Sequence, residues 1–337
     1  VDYGWGFDAD TRLFVPSKDE PGVMVTNPSK EISFEKERFT MPRPPGCFRI
    51  FAVGGSSINY IKPSLKFLAF MLTAECQWKR QVEIIDAGGI AYGSHRLVPI
   101  VSEIVNNYDP DLILLYCGHN EFEEVEQMQF VQLRTLPLQK VLYKSALCRF
   151  IRDRIGAIQL SAIQRKRNRQ ILSKPDPDKD AGGKYGYTSA DVAERAIAYR
   201  NNLTLMINLC KSRNVPLIIG TVASNLWKPD LPTGEERQRV RDLYDQGKYE
   251  EGLAVAREIL RTSPHHQASD TENNIIRELA REHGLLVADV EGAVTAAEPH
   301  KIPGETLFQD RCHLNFFGNN ILIRTYRQQI LRFLQSR

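Results

Sequence analysis

At 337 residues, with 42% apolar and 25% charged side chains, the chain can bury one large core, or one core with a small accessory unit. A net charge of +3, averaged over that length, is too small to imply a nucleic-acid partner. No run of about 18 apolar residues occurs, so no helix of this chain is expected to span a membrane.

Residues 1–46 are rich in Gly, Pro, Asp and aromatics and show no sustained period. They read as an extended arm on the domain surface, closed by Pro42-Arg43-Pro44-Pro45-Gly46. A catalytic-type domain is expected over 47–337. Its first strand is Arg49-Ile50-Phe51-Ala52-Val53, followed by a Gly-Gly-Ser turn and a helical stretch through Leu65-Lys66-Phe67-Leu68. Val82-Glu83-Ile84-Ile85 leads into a glycine-rich loop, and a helix covers Leu97 to Asn107. Leu112-Ile113-Leu114-Leu115-Tyr116 runs into Gly118-His119-Asn120. Helical segments over about 190–213 and 271–283 alternate with the strands Pro216–Gly220 and Leu285–Asp289. Short β-branched runs alternating with helices predict an α/β fold of three layers, α/β/α, around a five-stranded parallel sheet. Ligands bind such sheets at the carboxyl ends of the strands.

Two segments interrupt the alternation. Residues 125–185 are helix-prone and basic: between Arg134 and Lys174 the single acid is Asp153. This insertion reads as a solvated basic face or as a surface that docks on a membrane or a protein partner. The second, at about 236–265, resembles one tetratricopeptide-type helical hairpin, with Gly252 where a small alanine is usual. One such unit cannot form a solenoid, so it is expected to pack on the main domain. The six cysteines are widely spaced with no CxxC pair, which suggests neither a metal site nor a disulfide framework. The chain begins at Val1, from which we expect an N-terminal segment to have been processed or trimmed.

Candidate chemistry lies at the strand ends. Ser56, in Gly54-Gly55-Ser56-Ser57, either exposes its hydroxyl on a strand-to-helix turn or merely caps the helix. A phosphate-loop reading is weak, because neither GxxxxGK[ST] nor GxGxxG is present. Asn120 either aims its amide at a developing oxyanion or closes a turn. Asp310 and His313, spaced as DxxH, can hold an imidazole in one tautomer with its other nitrogen toward a serine. Metal ligation is the rival reading, but no further ligands cluster nearby in sequence.

In this order, the blocks Val53–Ser57, Asp86–Gly93, Gly118–Glu121 and Asp310–His313 resemble the SGNH (GDSL-type) serine hydrolase superfamily, which has a flavodoxin-like fold. Gly54-Gly55-Ser56 stands in place of the usual Gly-Asp-Ser, as in one large branch of the family. The resemblance implies Ser56 as nucleophile, with His313 as base and Asp310 as its orienter. The implied oxyanion donors are the N–H groups of Ser56 and Ala91 and the amide of Asn120. Ala91 falls where the family has a glycine, which is tolerable unless φ is positive there; Gly89 is the alternative donor. The chain also looks like a subgroup with tetratricopeptide-like segments and a membrane-proximal N-terminus, in which Gly-His-Asn-Glu and Ser-x-Arg recur. That places Arg96, of Ser94-His95-Arg96, either toward an anionic substrate group or in a structural salt bridge. The expected activity is hydrolysis of an O-acyl ester, first of all an O-acetyl ester on a carbohydrate, with no cofactor and no metal. Acyl transfer through the same acyl-enzyme and a non-catalytic scaffold are the alternatives. The resemblance favours an extracytoplasmic or membrane-proximal setting.

Overall fold

A computed structural model describes residues 12–75, 81–124 and 188–335. The basic insertion over 125–185 lies outside the described residues.

The chain enters through three short strands, β1 (Phe14–Pro16), β2 (Val23–Thr26) and β3 (Arg38–Thr40), which pair as an antiparallel sheet. Residues 12–46 therefore form no surface arm. Their large apolar side chains need cover, and Leu13, Phe14, Phe34 and Phe39 are all buried. Phe14 and Phe39 meet edge-on at 5.1 Å, and each packs against Phe51 and Tyr108 of the main domain. Glu103 ties the entry down by accepting from the N–H groups of Leu13 (2.8 Å) and Phe14 (3.1 Å).

Next come β4 (Cys47–Gly54), a one-turn helix α1 (Ser56–Asn59), α2 (Lys62–Glu75), β5 (Gln81–Gly88), α3 (Ser94–Asn107) and β6 (Leu112–Tyr116). After the undescribed segment follow α4 (Ser189–Ser212), β7 (Leu217–Gly220), α5 (Gly234–Asp245) and α6 (Tyr249–Thr262). The chain closes with α7 (Asp270–His283), β8 (Leu286–Ala288), α8 (Val290–Ala297) and α9 (Phe316–Gln335). The main sheet has five parallel strands in the order β5-β4-β6-β7-β8. The expected α/β class and parallel sheet are present. Every residue of β4, β6 and β7 is buried, as continuous apolar runs covered on both faces should be. Helices α2 and α9 pack together on one face, and α3, α4 and α7 on the other.

The strand order reverses direction between β4 and β6, which opens a crevice at their carboxyl ends. Ser56 follows β4 and Asn120 follows β6. Both therefore border that crevice.

The second interruption is a pair of helices, α5 and α6, joined by a turn at Gly247 and stacked over a small core of Leu226, Leu231, Val240, Tyr244, Leu260 and Ile302. Gly252 faces the Tyr244 ring so closely that a Cβ would meet Tyr244 Cε1 at 2.6 Å. No helix among the described residues is long and apolar enough to cross a membrane.

Candidate active site

Ser56 is the first residue of α1, directly after the Gly54-Gly55 turn. Both glycines are close-approach positions. A Cβ on Gly54 would lie 2.3 Å from the Tyr116 carbonyl of β6, and one on Gly55 would lie 2.6 Å from Asn120 Nδ2. The turn thus brings the serine, the β6 end and the asparagine amide together.

The serine Oγ donates to His313 Nε2 over 2.7 Å. His313 Nδ1–H donates in turn to Asp310 Oδ2 over 2.7 Å. The other carboxylate oxygen, Asp310 Oδ1, accepts the backbone N–H groups of Cys312 (2.9 Å) and His313 (2.8 Å). The three-residue spacing has a mechanical reason: one carboxylate closes its own turn with Oδ1 and steers the ring with Oδ2. Burial opposes ionisation of Asp310. The imidazole and the two N–H groups outweigh it and hold the carboxyl well below its usual range. Asn225 secures this loop from outside, donating from its amide to the Asp310 carbonyl (3.0 Å) and from its backbone to the Arg311 carbonyl (3.0 Å).

Asn120 donates from Nδ2 to the Tyr92 carbonyl (3.0 Å), and its Oδ1 accepts from His266 Nε2 (2.9 Å). Ala91 sits at φ 62°, in the left-handed region that disfavours a side chain. Its N–H has no protein partner among the described residues, and its carbonyl is gripped by Arg96 Nη2.

Two alternatives left open for this loop are decided, Arg96 in favour of the structural salt bridge. Arg96 does not reach toward a substrate: it is 3% exposed, bonded to Glu124 and the Ala91 carbonyl, and stacked 4.4 Å from the Tyr92 ring. A guanidinium this buried requires a counter-charge, and Glu124 supplies it. Gly89 is no spare donor either, because its N–H is spent on the Gly54 carbonyl at 2.9 Å.

Several residues at the site escaped the sequence reading. Glu121 and Glu124 sit beneath α3 and satisfy its first N–H groups, which a helix start leaves without partners. Glu121 takes Ser94 N–H (2.9 Å) and Ser94 Oγ–H (2.6 Å). Glu124 takes the N–H groups of Gly93, His95 and Arg96. Burial pushes Glu121 up to about 7, against the opposing pull of Arg195. Glu121 stood in the quoted Gly-His-Asn-Glu block without a role, and for Glu124 the signal was an acid one turn after it. Asp230, 2% exposed, pairs with Arg311 and accepts the His266 backbone N–H at 2.8 Å. His119 accepts the Ala268 N–H through Nδ1 at 3.0 Å, so its proton resides on Nε2.

Asp310, Cys312 and His313 offer metal-ligand atoms within 4.8 Å of one another, which forms the one such group among the described residues. Binding a cation there would break the His313–Asp310 bond, and burial keeps the Cys312 thiol protonated. The described cysteines 47, 117, 210 and 312 are free and buried.

No family model matches the sequence, and no curated protein is similar to it. Among solved structures the chain is similar to a GDSL-like lipase from Bacteroides thetaiotaomicron, with 12% identity and TM-score 0.45 over 84% of this chain and 88% of that one. It is similar to an acetylxylan esterase from Geobacillus stearothermophilus, with 13% identity and TM-score 0.45 over 84% and 94%. A further acetyl xylan esterase matches with 14% identity and TM-score 0.46 over 83% and 98%.

Proposed function

We propose that the protein is a serine esterase that works through an acyl-enzyme. The observation that carries this reading is the unbroken path from Ser56 Oγ to His313 Nε2 and from His313 Nδ1 to Asp310, with 2.7 Å at each step. Hydroxyl, imidazole and carboxylate in that relay suit proton removal from an attacking alcohol.

Ser56 Oγ bonds to the ester carbonyl carbon as its proton moves to His313 Nε2. Asp310, held ionised, orients the ring and stabilises the imidazolium. The carbonyl oxygen becomes an oxyanion, met by the N–H groups of Ser56 and Ala91 and by the second Nδ2 hydrogen of Asn120. Each such donor contributes about 10²–10³-fold to catalysis. The tetrahedral adduct then collapses, and the alcohol departs with the proton from His313. Water, deprotonated by the same imidazole, releases the acid and regenerates Ser56.

For substrate we favour a small acyl ester on a carbohydrate, an O-acetyl group first. The Tyr60 ring, 56% exposed and 5.1 Å from His313, offers an apolar face beside the nucleophile on which a sugar ring can lie.

Hydrolysis of p-nitrophenyl acetate and of acetylated sugars tests the reading. Ser56→Ala should lower kcat about 10⁴-fold or more. Equal slow turnover by wild type and Ser56→Ala would favour a scaffold. Acyl-sugar accumulating without free acid would replace hydrolysis by transfer.

A further inference from the structure

We propose that His266 is a positioning residue for the oxyanion hole, acting through Asn120; this rests on the esterase reading above. Asn120 Nδ2 faces the Tyr92 carbonyl, which can only accept, so Oδ1 is the atom turned toward His266. Oδ1 can only accept as well, so His266 must carry a proton on Nε2. In that state the 2.9 Å bond fixes the amide with its second Nδ2 hydrogen left for the substrate oxygen. With the proton moved to Nδ1, two lone pairs would face each other. The amide would then either keep that repulsion or turn and set Oδ1 against the Tyr92 carbonyl, and in neither case would its second Nδ2 hydrogen be held for the substrate oxygen. An imidazolium still donates from Nε2, so both the neutral Nε2–H form and the cation serve.

The histidine is itself held from behind. Its backbone N–H donates to Asp230 Oδ2 at 2.8 Å, and Asp230 also pairs with Arg311, the residue between Asp310 and Cys312. Gln267 Oε1 accepts the Asp230 N–H at 2.8 Å. The segment leading from α6 to α7 therefore joins the oxyanion side chain to the Asp310–His313 loop through a single buried carboxylate. The two halves of the site, far apart in the chain, share one support.

A double-mutant cycle on p-nitrophenyl acetate hydrolysis tests this. His266→Ala should lower kcat about 10–100-fold with KM nearly unchanged, because the lost interaction operates in the transition state. In an Asn120→Ala background the same change should cost less than about threefold, since its target is gone. His266→Gln, whose amide N–H can still donate to Oδ1, should recover most of the rate. An equal loss in both backgrounds, or wild-type kcat in His266→Ala while turnover remains Ser56-dependent, overturns the positioning role and leaves the esterase reading intact. Turnover that survives Ser56→Ala overturns the esterase reading instead. A separate measurement needs no turnover: ¹⁵N NMR of the folded protein should show His266 protonated on Nε2, and an Nδ1–H tautomer overturns the proposal.

Discussion

Two loops flank the Ser56–His313 pair, and in each a buried glutamate collects three backbone N–H groups. Glu124, fully buried, gathers the loop 91–96 by accepting Gly93, His95 and Arg96 N–H groups and Arg96 Nε–H. Glu298, 4% exposed, gathers the loop before Asp310 by accepting Gly304, Thr306 and Leu307 N–H groups and Thr306 Oγ–H. The tasks match but the electrostatics differ. Glu124 accepts from the buried Arg96 guanidinium, so removing the carboxylate takes a counter-charge away from a cation held in the interior. Among the described residues Glu298 is met by neutral donors alone, each of which water can replace in part. The Ala91–Asn120 side of the site is thus committed to its conformation more firmly than the His313 side. A strained residue, Ala91, lies on the firm side.

The contrast can be broken most sharply at Glu124. Glu124→Ala should destabilise the fold by about 3–5 kcal/mol, because the buried Arg96 loses its Glu124 carboxylate and three backbone N–H groups lose their acceptor. Urea denaturation measures it, and a cost within error of zero would refute the clamp. Glu298→Gln keeps an acceptor but turns an amide N–H₂ toward N–H donors, at about 1–3 kcal/mol. Here the stability loss should be smaller than at Glu124. kcat should fall with it, as the loop carrying Asp310 and His313 loosens. An order reversed between the two variants would dissolve the comparison. The smallest effect is expected at Ala91. Ala91→Gly relieves about 1–2 kcal/mol of left-handed strain, offset in part by the about 0.4–1 kcal/mol that glycine adds to unfolded-chain entropy. The net gain, between zero and about 1.6 kcal/mol, should appear as a raised urea midpoint with kcat retained. A clear destabilisation would contradict the left-handed assignment.

Much of this was legible before the structure. The strands Arg49–Val53, Val82–Ile85 and Leu112–Tyr116 announced themselves as continuous apolar runs, because a strand buried on both faces leaves no polar alternation. Val53–Ser57 and Asp310–His313 stood out because a tight turn and a steered imidazole each need particular residues within four or five positions. The antiparallel strands β1–β3 did not stand out: three or four residues each is too short for a period, and their burial depends on Phe51 and Tyr108 far along the chain.

Sequence alone determined which side chains carry hydroxyl, imidazole, carboxylate and amide, and that strand ends present them. Those properties are local, set by residue type and spacing. Only the tertiary structure decided that Arg96 braces the Ala91 peptide instead of facing a ligand. It alone decided that Gly89 spends its N–H on the Gly54 carbonyl, and that His266 reaches Asn120 across 146 residues of chain. A buried charge or amide takes whatever partner the packed layers bring within about 3 Å, and no pattern along the chain records that meeting.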